Sequence, residues 1–314
     1  MKVLIACGGT GGHLFPGVAV AEALLMRQHE VRLLISEKAV DQNALAALTN
    51  GSGQSRVAVQ TVSAVGLSGS RQLMHFCVRL ARATRECRTV CENFKPDAVL
   101  GMGGFTSAPA VLAARWQRSR TLIHESNAIP GKANRWAGKF ADQVAVGLKD
   151  CVRFFGRRPV TVTGTPIRSA LRGGKIAGAH EQLGLDRARL TILVIGGSQG
   201  ARAINAAVVR ALPALRPWRE QMQFVHLTGV MDEELIRDAY RQNGVTAKVM
   251  SFCNEMELAY STADVVVARA GASTLTELTA FGLPAVLIPF PQAAGNHQFH
   301  NARVFERAGA AHVL

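Results

Sequence analysis

VLIACGGTGGH at residues 3–13 and TILVIGGSQGA at residues 191–201 decide the fold. Each is an aliphatic run that breaks into glycines and then enters a helical pattern. That order specifies a buried strand, a tight turn and a helix. Outward from the first stretch, strands are predicted at 2–6, 31–35, 57–62, 98–101, 120–123, 143–146 and 160–163. Helices are predicted between them at 15–28, 40–49, 71–93, 108–116 and 131–140. From the second stretch, strands at 190–195, 222–227, 247–250, 264–267 and 285–288 alternate with helices at 201–211, 232–242, 254–261, 272–281 and 297–307. Such alternation predicts parallel α/β architecture. The restart near 190 predicts two Rossmann-like domains, 1–165 and 166–314. They join where glycine, proline and charge cluster in GTPIRSALRGG (164–174).

Composition narrows the classes. The chain has 314 residues, 48 % apolar and 18 % charged, which is enough to build a sizeable core and excludes a disordered polymer. Its six cysteines form no C-x-x-C pair and read as reduced thiols of a cytosolic chain. A strand-like VLIAC follows Met1-Lys2 directly, so no signal peptide is expected. The long uncharged stretches 98–114 and 278–296 are interrupted by glycines and prolines and are not expected to span a membrane. Net charge is +14, and the excess is uneven: residues 1–165 carry 21 basic and 10 acidic side chains, residues 166–314 carry 15 and 12. Nucleic acid, a membrane surface and a phosphorylated substrate are the anionic partners this admits.

Four glycine loops fall at carboxyl ends of predicted strands, where open α/β sheets bind ligands: 8–12, 101–104, 196–200 and 269–274. A strand–glycine–helix turn aims backbone N–H groups and the positive end of a helix dipole at an anion. One such loop is often only a turn; four together favour a phosphate-bearing ligand. A dinucleotide fits less well, because Gly9-Thr10-Gly11 is followed three residues on by Leu14, and Glu37 alone supplies the ribose acid. His13 sits where the first helix opens. A lone histidine is usually structural, but a helix N-terminus disfavours the imidazolium and leaves a neutral ring able to accept a proton. Glu277, on the helix that RAGAST opens, has the reach to accept from a ribose diol; a solvated helix glutamate is the plainer alternative. His297 and His300 share a helix face without an evident third metal ligand. Neither a D-x-D triplet nor a G-x-S-x-G elbow is present.

These motifs resemble one family. GGTGGHLFPGVAVAEAL (8–24), GMGGFTSAP (101–109), HESNAIPGKANR (124–135), GTPIR (164–168), GGSQGARAIN (196–205), ARAGASTLTELTAFGLPAVLIPFP (268–291) and NHQFHNA (296–302) are similar to the MurG family, in the family's order. The resemblance implies the GT-B glycosyltransferase fold, two Rossmann-like domains with parallel sheets facing across a cleft, the first for acceptor and membrane, the second for UDP-sugar. It also implies inverting transfer of N-acetylglucosamine from UDP-N-acetylglucosamine to the C4 hydroxyl of the muramoyl sugar in lipid I, giving lipid II and UDP. Donor contacts implied by the resemblance are Thr10, Gly11, Gly12, Asn127, Arg168, Ser198, Ala272, Ser273, Thr274, Leu275, Thr276, Glu277 and Gln298, with the Cys253 backbone facing uracil. His13 is the implied general base and Glu125 the second candidate. No cofactor or metal is expected, since loop amides, a helix N-terminus and Arg168 can stabilise the departing UDP. Phe105 departs from the family's common tyrosine, Ser126 from its glutamine, and the loop before NHQ reads QAAGN. The resemblance also implies further C-terminal helices, which this sequence, ending at Leu314, is expected to lack.

The resemblance also gives the basic half a purpose at the cytoplasmic face of an anionic membrane. Projected at about 100° per residue, 71–93 gathers Leu73, Phe76, Cys77, Leu80, Ala83 and Cys87 on one side as predicted core. Arg71, Arg79, Arg82, Arg85 and Arg88 spread over the other, with Met74, Val78 and Ala81 among them. Apolar residues ringed by arginine suit peripheral docking; a solvated arginine face is the alternative. Rival functions are another GT-B UDP-sugar glycolipid transferase, or a non-catalytic nucleotide- or nucleic-acid-binding protein. The latter lacks basic residues interleaved with aromatics, so no nucleic acid is expected.

Overall fold

The computed structural model describes residues 1–9, 11–37, 57–63, 73–104, 106–197 and 200–314, with the backbone alone at 73–76. The predicted helix at 40–49 lies outside the described residues. The chain divides into two compact units, Met1–Ser169 and Ala170–Leu314.

Among the described residues of the first unit, seven parallel strands run β1 (Lys2–Ala6), β2 (Glu30–Ser36), β3 (Ala58–Val62), β4 (Ala98–Gly101), β5 (Arg120–Glu125), β6 (Gln143–Val146) and β7 (Val160–Val162). Their sheet order is β3-β2-β1-β4-β5-β6-β7. The helices are α1 (Gly11–Met26), α2 (Leu73–Phe94), α3 (Ser107–Trp116) and α4 (Lys132–Ala137). Val3, Leu4, Ile5 and Ala6 of the central β1 are all buried, as a parallel strand covered on both faces requires.

The second unit repeats the plan. β8 (Leu190–Ile195), β9 (Met222–Leu227), β10 (Ala247–Met250), β11 (Val265–Ala268), β12 (Ala285–Leu287) and β13 (Ala311–Val313) form a parallel sheet in the order β10-β9-β8-β11-β12-β13. Its helices are α5 (Ala179–Leu183), α6 (Arg202–Leu215), α7 (Glu233–Gln242), α8 (Met256–Thr262), α9 (Ala272–Phe281) and α10 (His297–Arg307).

Both orders reverse beside the strand that precedes a glycine loop: β1 pairs with β2 and β4, β8 with β9 and β11. Register sets the loops side by side. Ala6 faces Gly101, so residues 7–9 emerge beside 102–104; Ile195 faces Ala268, so 196–197 emerges beside 269–271. These are the topological switch points at which such sheets bind ligands.

Several predicted boundaries shift. α1 begins at Gly11 rather than 15 and takes in Pro16, whose missing N–H leaves the Gly12 carbonyl without its helix bond. α4 ends at Ala137 rather than 140, where Gly138 interrupts and the chain continues in turns. β13 and α5 are short elements absent from the predicted set. Cys77, predicted as core, is exposed. A helix of 22 residues is about 33 Å long, whereas four- or five-residue strands span about 15 Å, so α2 overhangs its sheet. Its buried cluster comprises Cys87, Val90, Cys91 and Phe94, packed on Leu4, Val99 and Ala110.

Candidate active site

In the first unit, the carboxyl ends of β1, β4 and β5 present three interlocked loops. His13 occupies the first turn of α1, half-buried. Its ring lies against the second loop: a Cβ placed on Gly103 would come 2.6 Å from His13 Cδ2 and 2.8 Å from Nε2, and Gly103 holds φ at +111°. Both facts require glycine there. Gly8 N–H donates to Thr106 Oγ1 at 3.1 Å. Ser107 Oγ accepts from Gly103 N–H at 2.8 Å and donates to the Gly103 carbonyl at 2.7 Å. The ring therefore rests on a braced backbone.

Glu125 ends β5 and is buried. Its Oε1 accepts from Asn127 N–H (2.9 Å) and Asn127 Nδ2 (2.8 Å). Its Oε2 accepts from Gly131 N–H (3.0 Å) and Asn134 Nδ2 (2.9 Å). Four donors on one carboxylate fold 125–134 around it. Asn134 also donates to the His124 carbonyl at 3.1 Å, and its Nδ2 is 3.2 Å from the same Cβ position on Gly103 that meets His13. The imidazole and this amide thus converge on one point.

His124, also buried, donates from Nε2 to the Gly164 carbonyl at 2.9 Å. Burial drives its pKa below the ordinary value, against that hydrogen bond, so it is neutral. The bond ties β5 to the segment carrying Arg168, whose guanidinium stacks over Phe15 of α1 at 5.0 Å. Ser169 N–H donates to Glu22 Oε2 at 2.9 Å and pins the same segment to α1.

The second unit builds its loops mainly from backbone. A Cβ on Gly200 would come 2.3 Å from the Thr228 carbonyl, so the loop after β8 lies directly on the loop after β9. α9 starts at Ala272 behind the N-cap Gly271, which has no side chain to cap it, and it carries Ala272, Ser273, Thr274, Leu275, Thr276 and Glu277 in sequence. Arg269 Nη1 donates to the carbonyls of Ile288 (3.0 Å) and Pro289 (3.2 Å). Gln298 Oε1 accepts from Phe290 N–H at 2.9 Å. Cys253, half-buried after β10, has its thiol pKa raised by burial. Beneath these loops lies a buried network. His226 bonds Tyr240 Oη (3.0 Å) through Nδ1 and Asn205 Oδ1 (3.1 Å) through Nε2. Asn205 donates to the Thr228 carbonyl (2.9 Å) and Asp232 Oδ2 (2.8 Å). Burial pushes the His226 pKa down to about 4.

Among the described residues, four buried side-chain polar atoms have no hydrogen-bond partner: Arg32 Nε, Asn134 Oδ1, Arg168 Nε and Ser273 Oγ. Buried polar atoms are ordinarily satisfied. Three of these four follow the carboxyl ends of β5, β7 and β11, within the motifs singled out above.

Of the sequence-predicted residues, Gly11, Gly12 and His13 open α1, and Asn127 is held on Glu125. Thr10, Ser198 and Arg71 lie outside the described residues, as does the side chain of Met74. Val78 is 63 % exposed. Arg82 pairs with Glu86 at 3.1 Å, and Arg85 is exposed. Among the described residues, no group of three or more His, Cys, Asp or Glu side chains is placed to hold a metal ion. Sequence reasoning passed over His124, Asn134 and Phe15. The signal for Asn134 was a poor helix former inside an otherwise ordinary helical run.

Two Rossmann-ordered units with glycine loops at both switch points give the GT-B architecture, and the family matches make it a glycosyltransferase. Residues 3–146 match the glycosyltransferase family 28 N-terminal domain and residues 191–314 the family 28 C-terminal domain. The chain belongs to the MurG family, the UDP-N-acetylglucosamine–N-acetylmuramyl-(pentapeptide) pyrophosphoryl-undecaprenol N-acetylglucosamine transferases. It is 40 % identical to the transferase of that name from Syntrophus aciditrophicus, over 100 % of this chain and 85 % of the relative. It is 38 % identical to that from Geotalea uraniireducens with the same two coverages. The crystal structure of Acinetobacter baumannii MurG superposes with a TM-score of 0.75 at 27 % identity, covering 100 % of this chain and 85 % of that one. Phytolacca americana UGT2 shares the fold, with a TM-score of 0.67 at 14 % identity over 99 % of this chain and 84 % of that one.

Proposed function

We propose that this chain transfers N-acetylglucosamine from UDP-N-acetylglucosamine to the C4 hydroxyl of the muramoyl sugar of lipid I, releasing UDP and forming lipid II for peptidoglycan, the wall on which cell shape and division depend. The observation that carries this reading is 38–40 % identity, across the whole chain, to transferases of that name.

Inversion requires one displacement. The acceptor hydroxyl loses its proton, its oxygen bonds to the anomeric carbon, and the bond from that carbon to the diphosphate oxygen breaks. In this reading His13 takes the proton. A ring held on α1's first turn stays neutral beside the helix dipole and can accept it. Glu125 holds the loop that carries Asn127 and Asn134, a positioning role suited to a carboxylate whose oxygens already accept four N–H bonds. Arg168 and the amides at Gly11 and Gly12 counter charge developing on UDP. In the second unit, the run from Ala272 to Glu277 and Gln298 hold the donor, Glu277 accepts from the ribose, and the Cys253 backbone faces uracil. Thr10 and Ser198 belong to the same donor set.

Peripheral docking on the cytoplasmic face of an anionic membrane completes the reading, because lipid I is membrane-bound. Support comes from Val78 on α2 and from Trp116 at the end of α3, 64 % exposed with Arg88 5.9 Å from its ring. No helix among the described residues is long and apolar enough to cross a membrane. The test is UDP release from UDP-N-acetylglucosamine with and without a soluble lipid I analogue, with the product weighed by mass spectrometry. Acceptor-dependent release with one added N-acetylhexosamine is expected. Equal turnover of UDP-glucose, or release indifferent to acceptor, overturns the assignment.

A further inference from the structure

We propose that Tyr260 is a positioning residue for nucleotide recognition: its hydroxyl fixes the Glu277 carboxylate in the orientation that distinguishes a ribonucleoside diphosphate from its deoxy counterpart. The inference rests on the reading that Glu277 receives the ribose.

Tyr260 lies on α8 and is 1 % exposed. Its hydroxyl donates to Glu277 Oε2 at 2.6 Å, across from α8 to α9. That is a short, well-formed O–H···O bond, at the length a hydroxyl makes to a carboxyl oxygen. The phenol ring also packs on Phe281 of α9, with ring centroids 5.2 Å apart, a second contact between the two helices. α8 is itself tied down. Ile176 N–H donates to Ser261 Oγ at 2.8 Å, and Lys175 Nζ reaches the Ala263 carbonyl at 3.4 Å. The anchor is rigid, and the half-buried glutamate is what it holds.

A helix glutamate left to solvent samples many rotamers and must be ordered when a ligand binds. With Oε2 held from behind, the carboxylate is already oriented, and a vicinal diol meets acceptors in place. A ligand lacking one hydroxyl forfeits the benefit. Tyr260 therefore acts through Glu277 and touches no substrate.

The experiment is isothermal titration of the full chain with UDP, 2′-deoxy-UDP and 3′-deoxy-UDP, comparing the wild type with Tyr260→Phe and Glu277→Gln. Phenylalanine keeps the ring and its packing, so the variant folds. Wild type is expected to prefer UDP over at least one deoxy analogue by about tenfold or more, the range of a hydrogen bond to a charged group. Tyr260→Phe should cut that ratio to about two- to threefold by weakening UDP alone, as loss of an oriented acceptor implies. If Tyr260→Phe lowers the melting temperature and weakens all three nucleotides equally, the residue is merely structural and the proposal falls. If Glu277→Gln abolishes discrimination while Tyr260→Phe preserves it, Tyr260 alone is wrong. If wild type does not discriminate, or Glu277→Gln leaves discrimination intact, the ribose assignment of Glu277 itself is overturned.

Discussion

The two units share a strand order and differ in what they place at its switch point. In the first, side chains dominate: Glu125 gathers four N–H donors, His124 ties β5 to the segment bearing Arg168, and the His13 ring is seated on Gly103. In the second, backbone dominates. Glycine packs loop on loop at Gly200, and α9 begins uncapped by any side chain. Side-chain bonding there lies largely deeper, in the His226 network, or bracing the loop after β12. One plan thus yields a braced side-chain site suited to moving a proton and a cradle of amides suited to an anion. Tests that break the first should cost turnover, whereas tests on the second should cost affinity or pH tolerance.

The largest expected effect is on His13. His13→Ala should lower kcat by roughly 10²–10⁴-fold if the ring is the base, with the KM for UDP-N-acetylglucosamine nearly unchanged. Gly103→Ala tests the same seat from beneath, because its Cβ would fall 2.6 Å from the ring and so displace it. Steady-state kinetics with a lipid I analogue decide. A loss carried by KM instead of kcat would place His13 in donor binding and blur the contrast between units.

Next is Glu125. Glu125→Ala leaves four N–H donors without their acceptor, of which the Asn134 amide is buried. A cost of about 1–3 kcal/mol is expected from leaving that buried donor unsatisfied. It reads as a lower melting temperature with a broadened transition in the first unit. A variant as stable as wild type but inactive would instead return Glu125 to the role of base.

The second unit supplies the pH contrast. His226 has a folded-state pKa near 4, depressed by burial from an ordinary 6.5. The unfolded chain therefore binds this proton first as pH falls. The neutral ring's contribution is complete above about pH 6.5, declines between 6.5 and 4, and changes no further below that. Across that window the loss is about 3 kcal/mol. Urea melts at pH 7, 5.5 and 4 should show it, and His226→Gln should flatten the dependence. An unchanged slope in that variant would mean another group governs acid sensitivity.

How far the sequence discloses this contrast depends on what each feature is made of. Strands such as β1 and β8 are continuous aliphatic runs closed by glycines, and the two restarts make the double domain visible. Glycine loops are equally legible, because positive φ and close approach leave few alternatives to glycine. α1 starts at Gly11, four residues before the predicted start, because the helix takes in Gly11 and Gly12 against their low intrinsic helix propensity. Cys77 was misread because periodicity reports a helix face but not how far the sheet beneath it extends. Asn134, His124 and Tyr260 were invisible for a different reason. Each acts through a partner 9 to 40 residues away, Glu125, Gly164 and Glu277 respectively, and no local pattern encodes that pairing.

The smallest effect expected lies on the first unit's surface, where the contrast concerns charge. Val78 is 63 % exposed on α2, and Trp116, Trp136 and Phe140 are exposed near Arg88, Arg115 and Arg135. Arg82 and Arg88 are partly neutralised by Glu86 and Glu92 in i,i+4 pairs worth little at an exposed site. Docking should therefore rest on the apolar residues as much as on charge. Met74→Asp combined with Val78→Asp should weaken partitioning onto anionic vesicles by about tenfold, since burying an aliphatic side chain contributes about 1.5–3 kcal/mol. Salt should weaken the wild type further, through the exposed Arg85 and its neighbours. The same paired substitution should leave UDP affinity untouched, because neither residue belongs to the donor set of either unit. Unchanged vesicle partitioning would make the arginine face of α2 an ordinary solvated surface.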